Sequence, residues 1–147
     1  MKDTRQHFLI LMADDDEEDC ILTKDALRES RLNNPILFVH DGEELMAYLR
    51  REGEYRDAQR PGLILLDLNM PRKSGREALG EIKSDPQLRA IPVIILTTSK
   101  SELDVTNSYT LGANSYITKP VTFQALVDVM LMLKHYWFEI VELPDSR

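Results

Sequence analysis

The chain has 147 residues, of which 29% are charged and 43% hydrophobic, and its net charge is −7. This length supports one domain with its own core, and the negative charge argues against nucleic acid or an anionic membrane as the main partner. A single cysteine, Cys20, excludes an internal disulfide and is expected to be a small buried residue on a helix. Neither a long apolar span nor a signal-peptide pattern is found, so the expected location is the cytoplasm, with no membrane partner.

The first apolar run, Phe8 to Ala13, predicts a strand that ends at the acidic block Asp14 to Asp19. Apolar residues then recur at helical spacing. Asp16 is placed to cap this helix, and the acids after it suit the positive end of the helix dipole. A second strand is predicted over Ile36 to His40, and Asp41 is expected to be the turn and cap residue before a short helix.

A polar stretch, Arg50 to Arg60, predicts a surface loop. The run Leu63 to Leu66 then delivers one carboxylate, Asp67, to its end. Four apolar residues could belong to a buried helix, but the turn residues on both sides favour a strand buried on both faces. Asp67 is therefore expected at the carboxyl end of a central strand, where open α/β sheets bind their ligands.

Two further strands and three helices follow. A helical pattern after Gly75 closes at a proline, and Val93 to Leu96 predicts the fourth strand. Ser101 is placed to cap the fourth helix, which Gly112 should end. The fifth strand is predicted over Ser115 to Thr118.

Thr122 is placed to cap the last helix, with Val121 and Leu126 as a hydrophobic staple. Strands and helical patterns thus alternate along the chain, which requires right-handed crossovers and a parallel sheet with helices on both faces. We predict a five-stranded, doubly wound α/β domain. In the flavodoxin-like strand order 2-1-3-4-5, strands one and three would be neighbours.

Polar residues occupy the predicted carboxyl ends of the strands: Asp14, Asp15, Asp67, Thr97 and Lys119. In the order 2-1-3-4-5 the three acids would converge, and three carboxylates in one crevice repel one another unless a cation or protons intervene. Oxygen ligands with room for water suit Mg²⁺. With a lysine and a threonine beside them, the acids suit phosphoryl transfer with Asp67 as the nucleophile.

Each of these residues also has a purely structural interpretation. Asp14 and Asp15 could serve the cap and dipole of the first helix, Thr97 could be a β-branched strand residue, and Lys119 could be a solvated surface cation. Their joint placement with Asp67, in this order at successive strand ends, favours a site over unrelated structural roles.

The motifs resemble one known family. Over about residues Phe8 to Leu133 the chain is similar to the CheY-like receiver domain of two-component response regulators. The motifs that carry the resemblance are Asp14-Asp15, LLDLNMPRKSG from Leu65 to Gly75, PVIILTTS from Pro92 to Ser99, and GANSYITKP from Gly112 to Pro120.

The resemblance implies that Asp67 accepts a phosphoryl group from a phosphohistidine of a histidine kinase or of a phosphotransfer protein. It implies Asp15 and Asp67 as side-chain ligands of Mg²⁺ (or Mn²⁺) and Asn69 as the residue that gives its backbone carbonyl. Asp14 would bind the ion through water or help to place it.

For the switch, the resemblance implies that Thr97 and Lys119 contact the phosphoryl oxygens and that the rotamer of Tyr116 reports phosphorylation. It also implies that Asn69 and Ser99 tune the lifetime of the aspartyl phosphate. The peptide between Lys119 and its following proline would be cis.

We expect a receiver domain over residues 1–133 and an apolar extension over 134–147 in place of an output domain, so that a separate downstream protein reads the signal. Tyr136, Trp137 and Phe138 and an apolar last helix suggest a homodimer interface, although the extension could instead pack on its own domain. The extension resembles that of the small single-domain response regulators paired with phytochrome histidine kinases.

Such a protein would not be an enzyme beyond self-phosphorylation and autodephosphorylation at Asp67. The alternative is a Mg²⁺-dependent phosphatase of haloacid dehalogenase type. Such an enzyme would require an acid at the position of Asn69, and it would also require additional cap segments. A flavin or nucleotide binder would want a glycine-rich phosphate loop after the first strand, where the chain has acids instead.

Overall fold

The structure, a computed structural model, describes residues 8–136. The strands are β1 (Ile10–Ala13), β2 (Ile36–Val39), β3 (Leu63–Leu66), β4 (Val93–Thr97) and β5 (Ser115–Thr118). The helices are α1 (Glu17–Glu29), α2 (Gly42–Leu49), α3 (Gly75–Ser84), α4 (Glu102–Leu111) and α5 (Phe123–Leu133), with a short 3₁₀ turn at Gly53–Tyr55.

All neighbouring strands are parallel, and the sheet order is β2-β1-β3-β4-β5, which confirms the predicted topology. Ala13 of β1 pairs with Leu66 of β3. The residues that follow these two, Asp14 and Asp67, therefore begin side by side at the carboxyl edge of the sheet. The amide of Asp67 donates to the carbonyl of Ala13 at 3.0 Å, which extends the ladder to the acid itself.

The strand side chains alternate between two cores because successive residues of a strand point to opposite faces. In β1, Leu11 and Ala13 join the core formed with α2 and α3, while Ile10 and Met12 join the core formed with α1 and α5. Every residue of β3 and β4 is buried, whereas those of β5 are half-buried. Cys20 is a free, buried residue of α1, as predicted.

The helix caps follow the sequence closely. Asp16, Asp41, Ser101 and Thr122 each accept a hydrogen bond from the backbone N–H three residues on, as predicted. Gly112 ends α4 with a φ of 112°, in the left-handed region where glycine has no steric penalty. The caps thus fix where each helix starts relative to the strand end before it.

Two local predictions are wrong. Val121 is 99% exposed. It therefore cannot form a staple with the buried Leu126, because the turn before α5 directs its side chain to solvent. No peptide bond among residues 8–136 is cis, so the bond before Pro120 is trans. Trans is the lower-energy form of X–Pro bonds by about 0.5–1 kcal/mol, and Lys119 reaches its partners from it.

The predicted surface loop from Arg50 to Arg60 is more ordered than expected. It contains the 3₁₀ turn, and Tyr55 packs against the core and donates its hydroxyl to Glu44 at 2.7 Å. Among the helices of residues 8–136, none combines the length and the apolar character that a membrane crossing requires.

Candidate functional site

Asp67 lies at the carboxyl end of the buried strand β3, and its side chain is almost fully buried. Its Oδ1 accepts hydrogen bonds from Thr97 Oγ1 at 2.7 Å and from the backbone N–H of Asn69 at 3.3 Å. Its Oδ2 accepts from Lys119 Nζ at 2.9 Å. The strand ends of β3, β4 and β5 therefore meet at one carboxylate, as the sequence predicts.

Asp14, Asp15 and Asp67 each place one carboxylate oxygen within 4.8 Å of the other two. Asp14 is fully buried, whereas Asp15 is exposed to solvent. The Oδ1 of Asp14 accepts from the backbone of Asp16 at 2.9 Å. The three oxygens surround a position that solvent can reach from the side of Asp15, which suits a hydrated divalent cation.

The second oxygen of Asp14 is the clearest sign that this position suits a cation. Oδ2 lies 2.7 Å from Lys119 Nζ as an ion pair. It has no directed hydrogen bond among the described residues although it is buried. Burial raises the pKa of Asp14 to about 6, and the attraction of Lys119 only partly offsets this effect. A divalent cation at this place would stabilise the charged form of Asp14, which burial disfavours.

Lys119 connects the acids. Its ammonium lies 2.7 Å from Asp14, 2.7 Å from Asp19 and 2.9 Å from Asp67. Burial works to lower the pKa of Lys119, but its hydrogen bonds with the three carboxylates outweigh burial and raise it. The lysine is therefore a firmly charged ammonium held directly over the carboxylate of Asp67.

Asp19 was assigned only to the helix dipole by sequence reasoning, which missed its contact with Lys119. Asp19 lies on the first turn of α1, which begins directly after the strand-end acids Asp14 and Asp15. The available signal was this closeness in sequence, because the first turn of a helix that follows a strand stays near the end of that strand.

The loop between β3 and α3 holds Asp67 through its backbone. The N–H of Gly75 donates to the carbonyl of Leu68 at 2.9 Å. A Cβ added to Gly75 would lie 2.0 Å from the carbonyl oxygen of Asp67, which no side chain can tolerate without a backbone shift. Glycine at this position therefore lets α3 start directly against the residue that ends β3.

A second polar cluster, which the sequence did not predict, lies beside the acids. Arg76 donates from Nε and Nη2 to the two oxygens of Asp104, both at 2.8 Å. Its Nη1 also donates to Oδ1 of Asn69 at 3.1 Å. Ser99 donates its hydroxyl to Asp104 at 2.6 Å. The hydrogen bonds from Arg76 and then Ser99 hold the pKa of Asp104 down at about 2.

Tyr116 is turned toward this cluster from β5. Its hydroxyl donates to the carbonyl of Ser99 at 2.9 Å, and its ring packs against the core on the α2 and α3 face. The structure thus brings together all the predicted acids with Thr97 and Lys119. It places Asn69 against Asp67, whereas Tyr116 contacts the neighbouring polar cluster at Ser99. Tyr136 is half-exposed just beyond α5, while Trp137 and Phe138 lie outside the described residues.

Comparison with known proteins points to one family. A family profile described as "Response regulator receiver domain" matches residues 10–131. "Response regulator Rcp1" of Synechocystis sp. (strain ATCC 27184 / PCC 6803 / Kazusa) is 43% identical over 138 residues, which cover 94% of each chain. "Probable methanogenesis regulatory protein FilR2" of Methanothrix harundinacea is 37% identical over 88% of this chain and 83% of that relative.

Two solved structures agree in fold. The phosphorylated cyanobacterial phytochrome response regulator RcpA is 46% identical with a TM-score of 0.89, and the match covers 95% of this chain and 99% of RcpA. The Mn²⁺-bound form of Rcp1 is 42% identical with a TM-score of 0.87, and the match covers 94% of this chain and 99% of that one.

Proposed function

The chain belongs to the response regulator receiver domain family, and we propose that Asp67 accepts a phosphoryl group from a phosphohistidine of a histidine kinase or of a phosphotransfer protein. The observation that carries this proposal is the carboxylate of Asp67, which two donors, Thr97 and Lys119, contact from neighbouring strand ends at 2.7 and 2.9 Å. Those donors and two further acids surround the same oxygens.

We assign the divalent cation, Mg²⁺ or Mn²⁺, to the oxygens of Asp14, Asp15 and Asp67, with the backbone carbonyl of Asn69 as a further ligand. The buried Oδ2 of Asp14, which forms an ion pair with Lys119 but no directed hydrogen bond among residues 8–136, and the mutual distance of 4.8 Å or less among the three carboxylate oxygens support this assignment. The related protein Rcp1, which has been crystallised in a Mn²⁺-bound form, supports it further. When bound, the cation neutralises charge on the phosphoryl oxygens.

In the transfer step an oxygen of Asp67 forms a bond to phosphorus while the bond from phosphorus to the imidazole nitrogen breaks, and the imidazole leaves with the electron pair. The reaction needs little beyond positioning and charge neutralisation. The Lys119 ammonium and the Thr97 hydroxyl now donate hydrogen bonds to the carboxylate of Asp67. After transfer they would donate to oxygens of the phosphoryl group.

The only chemistry in this proposal concerns the protein's own aspartate, so the chain acts as a switch and not as an enzyme on external substrates. The alternative, a phosphatase of haloacid dehalogenase type, requires an acid two residues after the nucleophile. Asn69 stands there, and its side-chain oxygen accepts a hydrogen bond from Arg76. The position therefore offers no carboxyl group for general acid or base catalysis.

The signal would leave the site through Thr97 and Tyr116 to a downstream protein. We propose a cytoplasmic protein whose receiver covers residues 1–133, with 134–147 as an extension, and a phytochrome-type histidine kinase as its partner. Two relatives support this choice of kinase: the phytochrome response regulator RcpA and "Bacteriophytochrome response regulator RtBRR", which is 42% identical with a TM-score of 0.76 over 95% of this chain and 86% of that one.

We also propose a homodimer through α5 and the extension. Leu131, Met132 and Tyr136 are all exposed along or just beyond this helix, and exposed apolar residues that lie together mark interaction surfaces. Trp137 and Phe138 belong to the same proposed interface by sequence.

The test of the phosphoacceptor is incubation with acetyl phosphate and Mg²⁺, followed by intact mass measurement. We expect one phosphate on the wild type, and none on Asp67→Asn or after EDTA treatment. Asp57→Asn, which changes an exposed aspartate of the surface loop in the same way, should label like the wild type. Equal labelling of Asp67→Asn would contradict the proposal.

A further inference from the structure

We propose that Arg76 is a positioning residue that prolongs the phosphorylated state of Asp67 by fixing the side-chain amide of Asn69. This inference rests on the proposed function, because it concerns the loss of the phosphoryl group that Asp67 would carry. Arg76 lies outside the acid cluster, and its removal should shorten the lifetime of the phosphorylated state.

The position of Asn69 is the first observation. Its backbone N–H donates to Oδ1 of Asp67 at 3.3 Å, so the residue stands at the edge of the phosphoacceptor carboxylate. Asn69 is exposed to solvent, whereas Asp67 is buried. The side chain of Asn69 therefore lies at the boundary between the Asp67 carboxylate and solvent, next to a place from which water can approach a phosphoryl group on Asp67.

The rigidity of Arg76 is the second observation. Two of its nitrogens donate to the two oxygens of Asp104 at 2.8 Å each. Bidentate pairing of this kind fixes the plane of a guanidinium. The hydroxyl of Ser99 holds Asp104 from the other side at 2.6 Å. With its plane fixed, Arg76 presents Nη1 to Oδ1 of Asn69 at 3.1 Å.

This contact decides which end of the Asn69 amide can meet water. Arginine has only donors, so the amide must turn its oxygen, its acceptor, toward Arg76. The NH₂ group then forms the other end of the side chain. An NH₂ group can donate a hydrogen bond to a water molecule, but it cannot accept one from a water proton.

Hydrolysis of the aspartyl phosphate depends on that proton. The oxygen of water forms a bond to phosphorus, the bond from phosphorus to the Asp67 oxygen breaks, and Asp67 leaves as a carboxylate. One water proton stays on the new P–OH group and the other moves to a phosphate oxygen. A side chain that accepts a hydrogen bond from the attacking water assists this step. Arg76 therefore slows hydrolysis by holding the amide oxygen of Asn69 toward its own guanidinium and so away from the attacking water.

The experiment follows the decay of the phosphorylated protein by intact mass after removal of acetyl phosphate. We expect Arg76→Ala to lose its phosphate about fivefold faster than the wild type, the effect of one hydrogen bond. Arg76→Lys should lose its phosphate at a similarly increased rate, because a lysine can pair with Asp104 but has no second donor group to hold Asn69 as well. This variant keeps the test possible if Arg76→Ala does not fold. Arg72→Ala, which removes an exposed arginine of the same loop, should decay like the wild type.

A double substitution separates positioning from a general structural effect. If Arg76 acts through Asn69, Arg76→Ala should not change the decay rate in an Asn69→Ala background. Decay of both Arg76 variants at the wild-type rate would overturn the inference, as would equal acceleration with and without the Asn69 side chain. Absence of label on the wild type would instead overturn the proposed function, and the inference with it.

Discussion

The central strands of the sheet, β3 and β4, are packed differently from the edge formed by β5 and α4. In β3 and β4 every residue is buried in the apolar core, and these strands carry Asp67 and Thr97. In β5 the residues are half-buried, and in α4, all of which is described, Ser108 is the one buried residue. The chemistry thus lies on the most firmly packed part of the molecule.

Polar contacts hold the α4 and β5 side in place of apolar burial. The Arg76 pair with Asp104 joins α3 to α4, and Tyr116 bonds through its hydroxyl to the carbonyl of Ser99. The backbone N–H of Tyr116 also donates to the hydroxyl of Tyr109 at 3.1 Å. Such contacts can be exchanged for others without opening the core, so we expect α4 and β5 to rearrange more easily than the strands that hold Asp67.

The largest expected effect tests this difference in packing directly. Leu66 in β3 is 0% exposed and Leu103 in α4 is 68% exposed. Leu66→Ala should lower the free energy of unfolding by about 2–5 kcal/mol, because it leaves a cavity in the core. Leu103→Ala should change it by no more than about 0.5 kcal/mol. Urea denaturation of the two variants gives the comparison, and equal losses would show that α4 is packed like the core strands.

A smaller effect is expected from two glycines of α3. A Cβ on Gly75 would collide with the backbone of Asp67, whereas a Cβ on Gly80 would have its nearest neighbour, Leu111 Cδ2, at 4.0 Å. Gly75→Ala should cost about 1–3 kcal/mol of unfolding free energy, the usual cost of overpacking. Gly80→Ala should gain about 0.5–1 kcal/mol because alanine favours the helix.

The same glycine pair also separates stability from chemistry. Gly75→Ala should slow the uptake of phosphate from acetyl phosphate, because any backbone shift at Asp67 moves the carboxylate away from Lys119 and Thr97. Gly80→Ala should label at the wild-type rate. A Gly75→Ala protein that is as stable and as quickly labelled as the wild type would mean that the loop after β3 can shift without disturbing the site.

The firmly packed half of the molecule could be predicted from the sequence. Continuous apolar runs such as Leu63 to Leu66 identify strands buried on both faces, and the spacing of strands and helices requires a parallel sheet. Because the carboxyl ends of parallel strands share one edge, the acids, Thr97 and Lys119 could be placed together before their distances were known. Local signals also located the helix caps, since a cap depends on a hydrogen bond within one turn.

The polar half could not be predicted in the same way. Arg76 and Asp104 are separated by 28 residues in the chain, and neither periodicity nor local turn chemistry connects them. Their contact depends on how α3 and α4 pack side by side. The staple predicted for Val121 was wrong for a related reason, since the pattern gives the spacing but not the direction in which the turn points the side chain. Asp19 was missed because it lies on the first turn of α1, whereas its partner, Lys119, follows β5 and is 100 residues away in the chain.

The smallest expected effect on folding concerns the exposed side of α5. Met132 is 71% exposed, so Met132→Glu should leave the free energy of unfolding within about 0.5 kcal/mol of the wild type at concentrations where the protein is monomeric. In the proposed dimer the same change would place a charge in an apolar interface, and light scattering should then give the mass of one chain where the wild type gives two.

Ile21→Glu is the matched control, since it puts the same charge on a 57% exposed apolar residue of α1 and should leave the dimer intact. A wild type that is monomeric, or a Met132→Glu protein that still dimerises, would remove α5 from the interface. If Met132→Glu abolishes the dimer without lowering the free energy of unfolding, the contrast between buried and exposed parts of the fold applies to α5 as well. Packing in the core would then fix where the phosphoryl group binds, and exposed apolar residues that the fold does not need would determine which surface another chain contacts.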